Sequence, residues 1–364
     1  MQLKQSRRIS RSPAIGRLAA AALVFVAGLA DAAVINVSTS AQLTAALINV
    51  AAGTTIQLAP GVYVGTFAAT GVGTADAPIR LLGSSDAILE SSSGTGYGLR
   101  MTNVQYWTLD GFSVTNAGKG IVLDGSSYNT LENLSVYGIG AEAVHFRSFS
   151  SYNTIEYSHI FNTGLVDPQF GEGVYIGSAK SNWGTYSGGV ADASNYNRVI
   201  SNVFGANVSA ESVDIKEGTL GALIQNNSFD ASGISGANFA DSVVDVKGSA
   251  NTLSGNVVQN LAHTGALLDG FQVHAISGVA NSGLNNTFSG NSFDLYATGY
   301  GINVQSGVKG NVVCNTNTAV DTGKGVANVA LSSCAQPVDE PGSVALLMLG
   351  GLGIGLVRRL RRRR

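Results

Sequence analysis

The segment Ser212-Val213-Asp214-Ile215-Lys216 decides the fold, because its five-residue pattern occurs eight times along the chain. The second and fourth residues of the pattern are apolar in every copy, and the third and fifth are mostly polar. Such alternation predicts a β-strand with one buried face. Its recurrence predicts a solenoid in which each copy contributes to one coil, meaning one turn of the solenoid. The copies are Gly98–Thr102, Gly120–Asp124, Ala143–Arg147, Gly173–Gly177, Ser212–Lys216, Val243–Lys247, Gly270–His274 and Gly301–Gln305.

A second repeat follows most copies of the first and begins with asparagine, as in Asn129–Asn133, Asn153–Tyr157 and Asn251–Asn256. Asparagine suits a tight corner, because it tolerates left-handed backbone and bonds to neighbouring peptide groups. Strands joined by such corners predict an all-β fold, a right-handed parallel β-helix formed by one chain over residues 34–336. Residues Ser40–Leu47 are predicted to form a short helix that covers the open first coil.

The composition agrees with this fold. The chain has 364 residues, with 47 glycines, 6 prolines and only 12% charged residues, which argues against a helical bundle. Residues 34–336 contain 10 basic and 20 acidic residues. We therefore expect no nucleic-acid partner, because phosphate groups require a basic surface. Three of the ten basic residues, Arg147, Lys216 and Lys247, share the fifth position of the pattern.

The two ends of the chain have the character of targeting segments. Residues 1–33 combine a basic start, an apolar run and small residues, which predicts a signal peptide, with a retained anchor as the alternative. Residues 337–364 contain Asp339-Glu340-Pro341, about 14 apolar residues and a basic end. This tail resembles the PEP-CTERM sorting signal of Gram-negative bacteria. The resemblance implies an exosortase partner, transient membrane contact and a location of residues 34–336 at the cell surface or in the extracellular matrix. The alternative is that the tail is a plain membrane anchor.

The chain contains only two cysteines, Cys314 and Cys334. Two cysteines in an exported protein are expected to pair. The closed loop of about 20 residues would stabilise the last coils by roughly 3 kcal/mol.

Equivalent positions of successive coils lie about 4.8 Å apart, so polar residues that are distant in sequence meet on one surface patch. The coils richest in charge contribute Glu172, Glu211, Asp214, Lys216, Asp245 and Lys247. The pattern directs Asp214, Lys216, Asp245 and Lys247 outward. Glu172 and Glu211 precede their strands, where alternation gives no direction.

One chemistry that suits these residues is β-elimination on a polyuronate. The carboxylates of Glu172, Glu211 and Asp214 are hard oxygen ligands that would hold Ca²⁺. Lys216 would be the base, and Lys247 the proton donor or charge stabiliser. A second lysine one coil away and a metal ion are expected to lower the pKa of Lys216, which a base requires.

Two other interpretations remain open. Asp214 and Asp245, one coil apart, have the backbone spacing of a carboxylate pair in a retaining glycoside hydrolase. Alternatively, the Asp and Lys ladder only stabilises an exposed sheet face. The protein would then be a non-catalytic glycan-binding or matrix-structural β-helix.

Side chains around this centre are candidate contacts to an acidic polysaccharide. Those nearest the charged coils are Tyr175, Asp245, Gln272 and His274, and those of a farther subsite are His145 and Arg147. The long interruption Ser178–Tyr196 is expected to form a groove wall, with Trp183 and Tyr186 either stacking on sugars or packing the loop.

At these residues the chain resembles the alginate lyase and chondroitinase B family, polysaccharide lyase family 6. In that family a catalytic lysine follows a metal-binding glutamate by five positions, as Lys216 follows Glu211. The segment Glu172–Gly177 resembles the second half of the family's preceding motif, with Gln169 in place of an asparagine ligand. Val246-Lys247-Gly248 stands where the family has Leu-Arg-His-Gly, so lysine replaces the arginine. The resemblance implies Ca²⁺-assisted β-elimination on a right-handed β-helix.

Overall fold

The computed structural model describes residues 33–334 as three long parallel β-sheets wound into a solenoid, which confirms the predicted all-β parallel β-helix. The predicted sorting tail and, apart from residue 33, the predicted signal peptide lie outside the described residues. Between residues 33 and 334, no helix is long and apolar enough to cross a membrane.

Most coils place one strand in each sheet. Sheet A contains Val34–Val37, Thr55–Leu58, Ile79–Leu82, Trp107–Asp110, Thr130–Glu132, Thr154–Glu156, Arg198–Ile200, Leu223–Gln225, Thr252–Ser254, Thr287–Ser289, Val312–Cys314 and Leu331–Ser332. Sheet B contains Gly61–Gly65, Ala87–Ser91, Ser113–Thr115, Ser135–Tyr137, His159–Phe161, Val203–Phe204, Ser228–Asp230, Val257–Gln259, Ser292–Ala297 and Thr318–Thr322. Sheet C contains Ala68–Ala69, Tyr97–Thr102, Lys119–Asp124, Val144–Arg147, Val174–Ile176, Val213–Ile215, Ser242–Val246, Asp269–Val273 and Ile302–Val304.

The five-residue pattern forms sheet C in the predicted register. Val213 pairs with Val174 of the preceding coil and with Val244 of the following one. The second and fourth positions point into the solenoid, where Val213 and Ile215 are fully buried. Burying one such side chain contributes about 1.5–3 kcal/mol. Because every coil repeats the same inward positions, apolar columns run along the whole core.

Asparagines hold the corners between the sheets. At the corner from sheet C to sheet A, the Asn129 amide donates to Asn153 Oδ1 at 2.9 Å, and the Asn153 amide donates to Asn197 Oδ1 at 3.1 Å. A similar ladder at the corner from sheet A to sheet B joins Asn202, Asn227, Asn256, Asn291 and Asn317. Buried amides need such partners, so these asparagines are structural.

Short helices lie at the solenoid end and in the loops. The helix Ser40–Ala46 begins after Thr39, whose hydroxyl accepts the Gln42 N–H at 3.3 Å. Its buried Leu43 packs on the first coil, where the sequence predicted a cap. The remaining helix is Trp183–Tyr186, and the 3₁₀ turns are Pro168–Phe170, Lys180–Asn182, Ala231–Gly233 and Ala237–Phe239.

Cys314 and Cys334 form a disulfide with Cα atoms 5.5 Å apart. Cys314 ends a strand of sheet A, and the strand Leu331–Ser332 pairs beside it. The bond therefore fastens the last strand of sheet A to the solenoid.

Candidate active site

The outer face of sheet C carries three adjacent columns of polar side chains. The third positions stack in register, so that Tyr175, Asp214, Asp245 and Gln272 follow one another along four coils. Lys216 and Lys247 occupy the neighbouring fifth-position column. The residue before each pattern forms the third column, in which Glu142, Glu172 and Glu211 belong to successive coils. Glu172 and Glu211, which sequence alternation left without a direction, thus face the same groove as Lys216.

Loops cover much of this face. The predicted patch therefore exists, but it is largely buried and not exposed as the sequence predicted. Only 1% of Asp214 is accessible to solvent. In the loop Ser178–Tyr196, the Lys180 N–H donates to Glu217 Oε1 at 2.5 Å. Lys180 Nζ donates to the Ser277 carbonyl at 2.8 Å, which joins this loop to the one after Val273. The predicted groove wall is therefore made of two linked loops.

A groove of about 590 Å³ remains open above the charged coils. Its lining includes Glu172, Glu211, Lys216, Lys247, His274 and Phe239. A second cavity of about 290 Å³ meets it at Glu172 and is lined by Tyr175, Phe170 and Lys119, among others. The charged centre thus lies where two cavities join.

Glu172, Glu211 and Asp214 form a buried carboxyl cluster, with one oxygen of each within 4.8 Å of the others. Burial and the Asp214 carboxylate raise the pKa of Glu172 well above its usual range. The same two causes raise the pKa of Glu211 to about 8. Glu172 Oε2 is buried without a hydrogen-bond partner among residues 33–334. The cluster can therefore bind a proton or a cation.

Two lysines share Asp214. Lys216 Nζ lies 2.5 Å from Asp214 Oδ2, and Lys247 Nζ lies 3.1 Å from Oδ1 and also contacts Asp245. Burial disfavours both ammonium groups, but the Asp214 carboxylate outweighs it and raises the pKa of each lysine. Without a bound cation, the neighbouring carboxylates thus outweigh the lysine–lysine repulsion, and the lowered pKa expected for a basic Lys216 requires the metal ion.

The donor set fits a hard divalent cation. Carboxylate oxygens are the ligands that Ca²⁺ prefers, and the orphaned Oε2 of Glu172 offers one of them. Glu172 and Glu211 are the residues that would hold the ion. Asp214 is less free than the sequence predicted, because each of its oxygens already contacts an ammonium group.

His274 and Gln272 extend the site along the groove. His274 Nδ1 lies 2.8 Å from Asp245 Oδ1, and 37% of its side chain is exposed. This hydrogen bond to Asp245 raises the pKa of His274. The Gln272 amide donates to Asp241 at 2.8 Å and to Asp269 at 3.0 Å. Both residues line the groove as candidate substrate contacts.

Arg147 does not form the exposed subsite that the sequence predicted, whereas His145, although buried, is among the residues that line the second cavity. Arg147 is 1% exposed; its Nε donates to Asp124 Oδ1 at 2.6 Å, and the Tyr186 ring lies 4.2 Å from its guanidinium carbon. The buried His145 lies 2.9 Å from the Gly177 carbonyl through Nε2, and its ring packs on Tyr175 at 4.3 Å. Their side chains support the groove floor, because the loop Ser178–Tyr196 covers this end of the face.

The aromatic residues of that loop have structural contacts. Trp183 Nε1 donates to the Ser178 carbonyl at 2.9 Å, and Tyr186 packs on Arg147. Trp183 therefore packs the loop, whereas Tyr186 also lines the second cavity.

The carboxylate pair Asp214 and Asp245 does not suit glycoside hydrolysis. A hydrolase needs one protonated carboxyl group as its acid. Burial alone would raise the pKa of Asp245, but Lys247 and His274 outweigh it and lower that pKa. Asp214 accepts from two ammonium groups. Neither carboxyl group is arranged as an acid.

Among the cavity-lining residues that sequence reasoning missed are Lys119, Glu142, Phe170 and Phe239. Lys119 and Glu142 occupy the same position relative to the pattern as Glu172, so the repeat contained a signal for them. Phe170 and Phe239 lie on loops of irregular length, whose residues the repeat does not place.

A parallel β-helix with a carboxyl- and lysine-lined groove along one sheet defines a class of proteins that act on polysaccharides. The family described as right handed beta helix region matches residues 75–209. The solved alginate lyase from Paenibacillus sp. str. FPU-7 is 37% identical with a TM-score of 0.76, over 82% of this chain and 99% of that one. The chain therefore belongs to the family of right-handed β-helix polysaccharide lyases that includes this enzyme, which confirms the predicted class.

A more distant solved structure shares the fold. The pectate lyase Pel9A is 20% identical with a TM-score of 0.57, over 81% of this chain and 75% of that one. The family 6 alginate lyase AlyGC is 14% identical with a TM-score of 0.37, over 84% of this chain and 54% of that one, and carries no argument about the site. None of the curated proteins matches the sequence significantly.

Proposed function

We propose that this protein cleaves alginate or a closely related uronate polymer by β-elimination, with Lys216 as the base. The observation that carries the proposal is the convergence of Lys216 and Lys247 on Asp214 beside the carboxyl cluster, in an open groove. The Paenibacillus relative, described as an alginate lyase, supports the choice of substrate.

Asp214 does not depend on Lys216 alone for a cationic partner. Because Asp214 also contacts Lys247, its carboxylate stays paired after Lys216 becomes neutral. Once Lys216 has released its proton to solvent, the neutral amine can take the proton next to the substrate carboxylate.

The leaving glycosidic oxygen needs a proton from a second group. Lys247, the donor expected from the sequence, lines the groove one coil beyond Lys216. Tyr175 flanks Lys216 on the other side, with its ring centre 4.9 Å from Lys216 Nζ. Burial and the Asp214 and Glu172 carboxylates raise the pKa of Tyr175, so its phenol keeps its proton. Separate Tyr175→Phe and Lys247→Met variants would identify the donor.

Calcium is part of the proposal. When bound, Ca²⁺ supplies positive charge that neutralises the uronate carboxylate and makes the adjacent C–H bond acidic. Glu172 and Glu211 would hold it. Burial and the Asp214 carboxylate raise the pKa of both groups, so a bound cation would favour their ionised forms.

The test is an activity assay on the purified protein with alginate, pectate and chondroitin, with and without Ca²⁺. Cleavage of a uronate polymer gives an unsaturated sugar that absorbs ultraviolet light. We expect Lys216→Ala to lower the rate by about 10²–10⁴-fold, as for loss of a general base. The matched control Lys309→Ala changes an exposed lysine outside both cavities. Full activity in Lys216→Ala would remove Lys216 as the base.

A second candidate function is glycan binding without cleavage. The raised pKa of Lys216, which keeps its ammonium paired with Asp214, favours it. Tight binding of uronate oligomers with no unsaturated product on any substrate would select this function.

We also propose that the protein is exported to the cell surface or extracellular matrix, through the predicted signal peptide and an exosortase acting on the tail. The bonded cysteines support an oxidising location. Mass spectrometry of the protein from a cell-surface fraction of a Gram-negative host would test it. A protein that keeps residues 337–364 would contradict the processing step.

A further inference from the structure

The second cavity extends the charged groove toward the N-terminal end of the solenoid. Glu172 lines both this cavity and the groove, and Lys119 lines both this cavity and a third opening of about 220 Å³. Lys119 precedes its five-residue pattern as Glu211 does three coils further on, which corresponds to about 14 Å along the solenoid axis. The openings therefore follow the solenoid axis rather than surround the catalytic centre.

Lys119 is the cationic group of this second cavity. Its Nζ lies 2.5 Å from Glu142 Oε1, and 30% of its side chain is exposed. Glu142 is buried, and burial alone would raise its pKa, but the bonds and charges of His145 and Lys119 lower that pKa to about 2. Glu142 therefore stays ionised and fixes the ammonium group of Lys119 at the cavity mouth.

The Glu142 carboxylate also has an oxygen that can accept a further hydrogen bond. Its Oε2 is buried without a partner among residues 33–334 and belongs to a residue that lines the cavity. A sugar hydroxyl is a neutral donor that would suit this oxygen.

Aromatic groups complete the cavity. Phe170 lies on the 3₁₀ turn Pro168–Phe170, and 43% of it is exposed. The ring of Tyr186 is held by its contact with Arg147. Ligand cavities typically combine apolar walls of this kind with a few fixed polar groups.

We propose that this cavity is a distal subsite for a uronate unit of the polymer cleaved at Lys216. Lys119 binds the carboxylate of that unit, Glu142 Oε2 accepts from one of its hydroxyl groups, and Phe170 contacts its ring. The inference rests on the proposed function for its substrate class. It implies that the polymer lies along sheet C and that long oligomers bind more tightly than short ones.

The test measures binding by calorimetry, so that it does not depend on cleavage. Alginate oligomers from the disaccharide to the octasaccharide are titrated into the Lys216→Ala protein. Affinity is expected to rise with length until the oligomer reaches Lys119. Adding Lys119→Gln, which keeps a hydrogen-bond donor for Glu142, should weaken binding of the long oligomers by roughly three- to tenfold and leave the short ones unchanged.

Phe170→Ser is the second variant, and it should show the same dependence on length, because the exposed ring can be removed without opening the core. Lys309→Gln is the control and should bind like the parent. Affinity that does not depend on length, or Lys119→Gln and Phe170→Ser proteins that bind long oligomers like the parent, would overturn the subsite. Length-dependent binding by a wild-type protein that cleaves nothing would overturn only the lyase.

Discussion

Asp214 is the residue on which the site depends, because it joins two buried lysines that would otherwise repel each other. Removing one partner of a buried ion pair typically costs 3–5 kcal/mol, since the other charge is left uncompensated. Asp214 thus has a structural task as well as a chemical one. A variant at Asp214 tests folding more than catalysis, whereas variants at Lys216 and Tyr175 separate the chemical roles.

His274 gives a prediction about pH and stability. Its pKa is raised by the hydrogen bond to Asp245, with Lys247 opposing and Asp241 adding to the shift. A raised pKa in the folded state stabilises the protein below the pKa of the unfolded chain, and this gain disappears as the pH rises through the folded pKa. We expect His274→Gln to lower the unfolding free energy at acidic pH, by at most about 1 kcal/mol because the ring is partly exposed.

The measurement is denaturant unfolding of both proteins from acidic to alkaline pH. The difference should vanish at alkaline pH. His159→Gln is the control, because burial lowers the pKa of His159 and no carboxylate pairs with it. A difference for His274→Gln that grows as the pH rises would contradict the assignment.

For single residues, the sequence predicts the direction of a side chain but not its contacts. The outward direction of Lys216 and Asp245 follows from alternation alone, since neighbouring residues of a strand face opposite sides. The sign of the lysine pKa shift does not follow, because it depends on which carboxylate oxygens reach each ammonium group. Likewise Arg147 was correctly placed on sheet C, but its burial depends on Tyr186 of a loop that belongs to another coil.

The loop around Ala237–Phe239 places an aromatic side chain at the groove. Asn238 and Phe239 have φ angles of +52° and +66°, and Phe239 is 88% exposed at the groove. Left-handed backbone at a phenylalanine is unfavourable, and such conformations are enriched at functional sites. The ring is therefore a candidate stacking surface above the charged coils.

We expect Phe239→Ser to raise KM for alginate by up to roughly tenfold with little change in kcat, because ring contacts of this type are worth about 0.5–1.5 kcal/mol. The unfolding temperature should stay the same, since the ring has few contacts. Steady-state kinetics on wild type and Phe239→Ser gives the comparison. Tyr157→Ser, which removes an exposed ring outside both cavities, is the matched control. Unchanged KM in Phe239→Ser would exclude the stacking role.

The C-terminal disulfide is an element of stability rather than activity. Replacing both Cys314 and Cys334 by serine should lower the unfolding free energy by roughly 3 kcal/mol, the value for a loop of about this size. Thermal unfolding with and without a reducing agent would check this. The wild-type protein under reduction should resemble the double variant, and cleavage at low temperature should persist because the bond lies outside the groove. Equal stability of oxidised and reduced protein would contradict the prediction.

On the scale of the whole molecule, the distribution of charge is the main functional signal. Residues 33–334 are acidic, yet five of their ten basic residues, Arg100, Lys119, Arg147, Lys216 and Lys247, lie on sheet C or at its strand ends. The repeat predicted that Arg147, Lys216 and Lys247 would share one face. It did not predict that loops would divide this face into linked cavities, because loop lengths vary from coil to coil.

Calcium should stabilise the whole solenoid if Glu172 and Glu211 hold it. Binding to the folded state alone adds about 2.7 kcal/mol at a ligand concentration one hundred times Kd, which raises the unfolding temperature. We expect this increase in the wild type and its loss in the double variant Glu172→Gln, Glu211→Gln. Glu132→Gln with Glu156→Gln, two stacked carboxyl groups on sheet A, is the control. An equal increase in the Glu172 and Glu211 variant would place the ion elsewhere.

The asparagine ladders have a consequence for how such a protein diversifies. Each ladder repeats one side-chain bond from coil to coil, so a duplicated coil would find the same partners above and below it. Extra coils added beyond Lys119 would lengthen the track for the polymer while leaving Lys216 and its neighbours untouched. Reach along the substrate and the chemistry at its centre can therefore change independently during evolution.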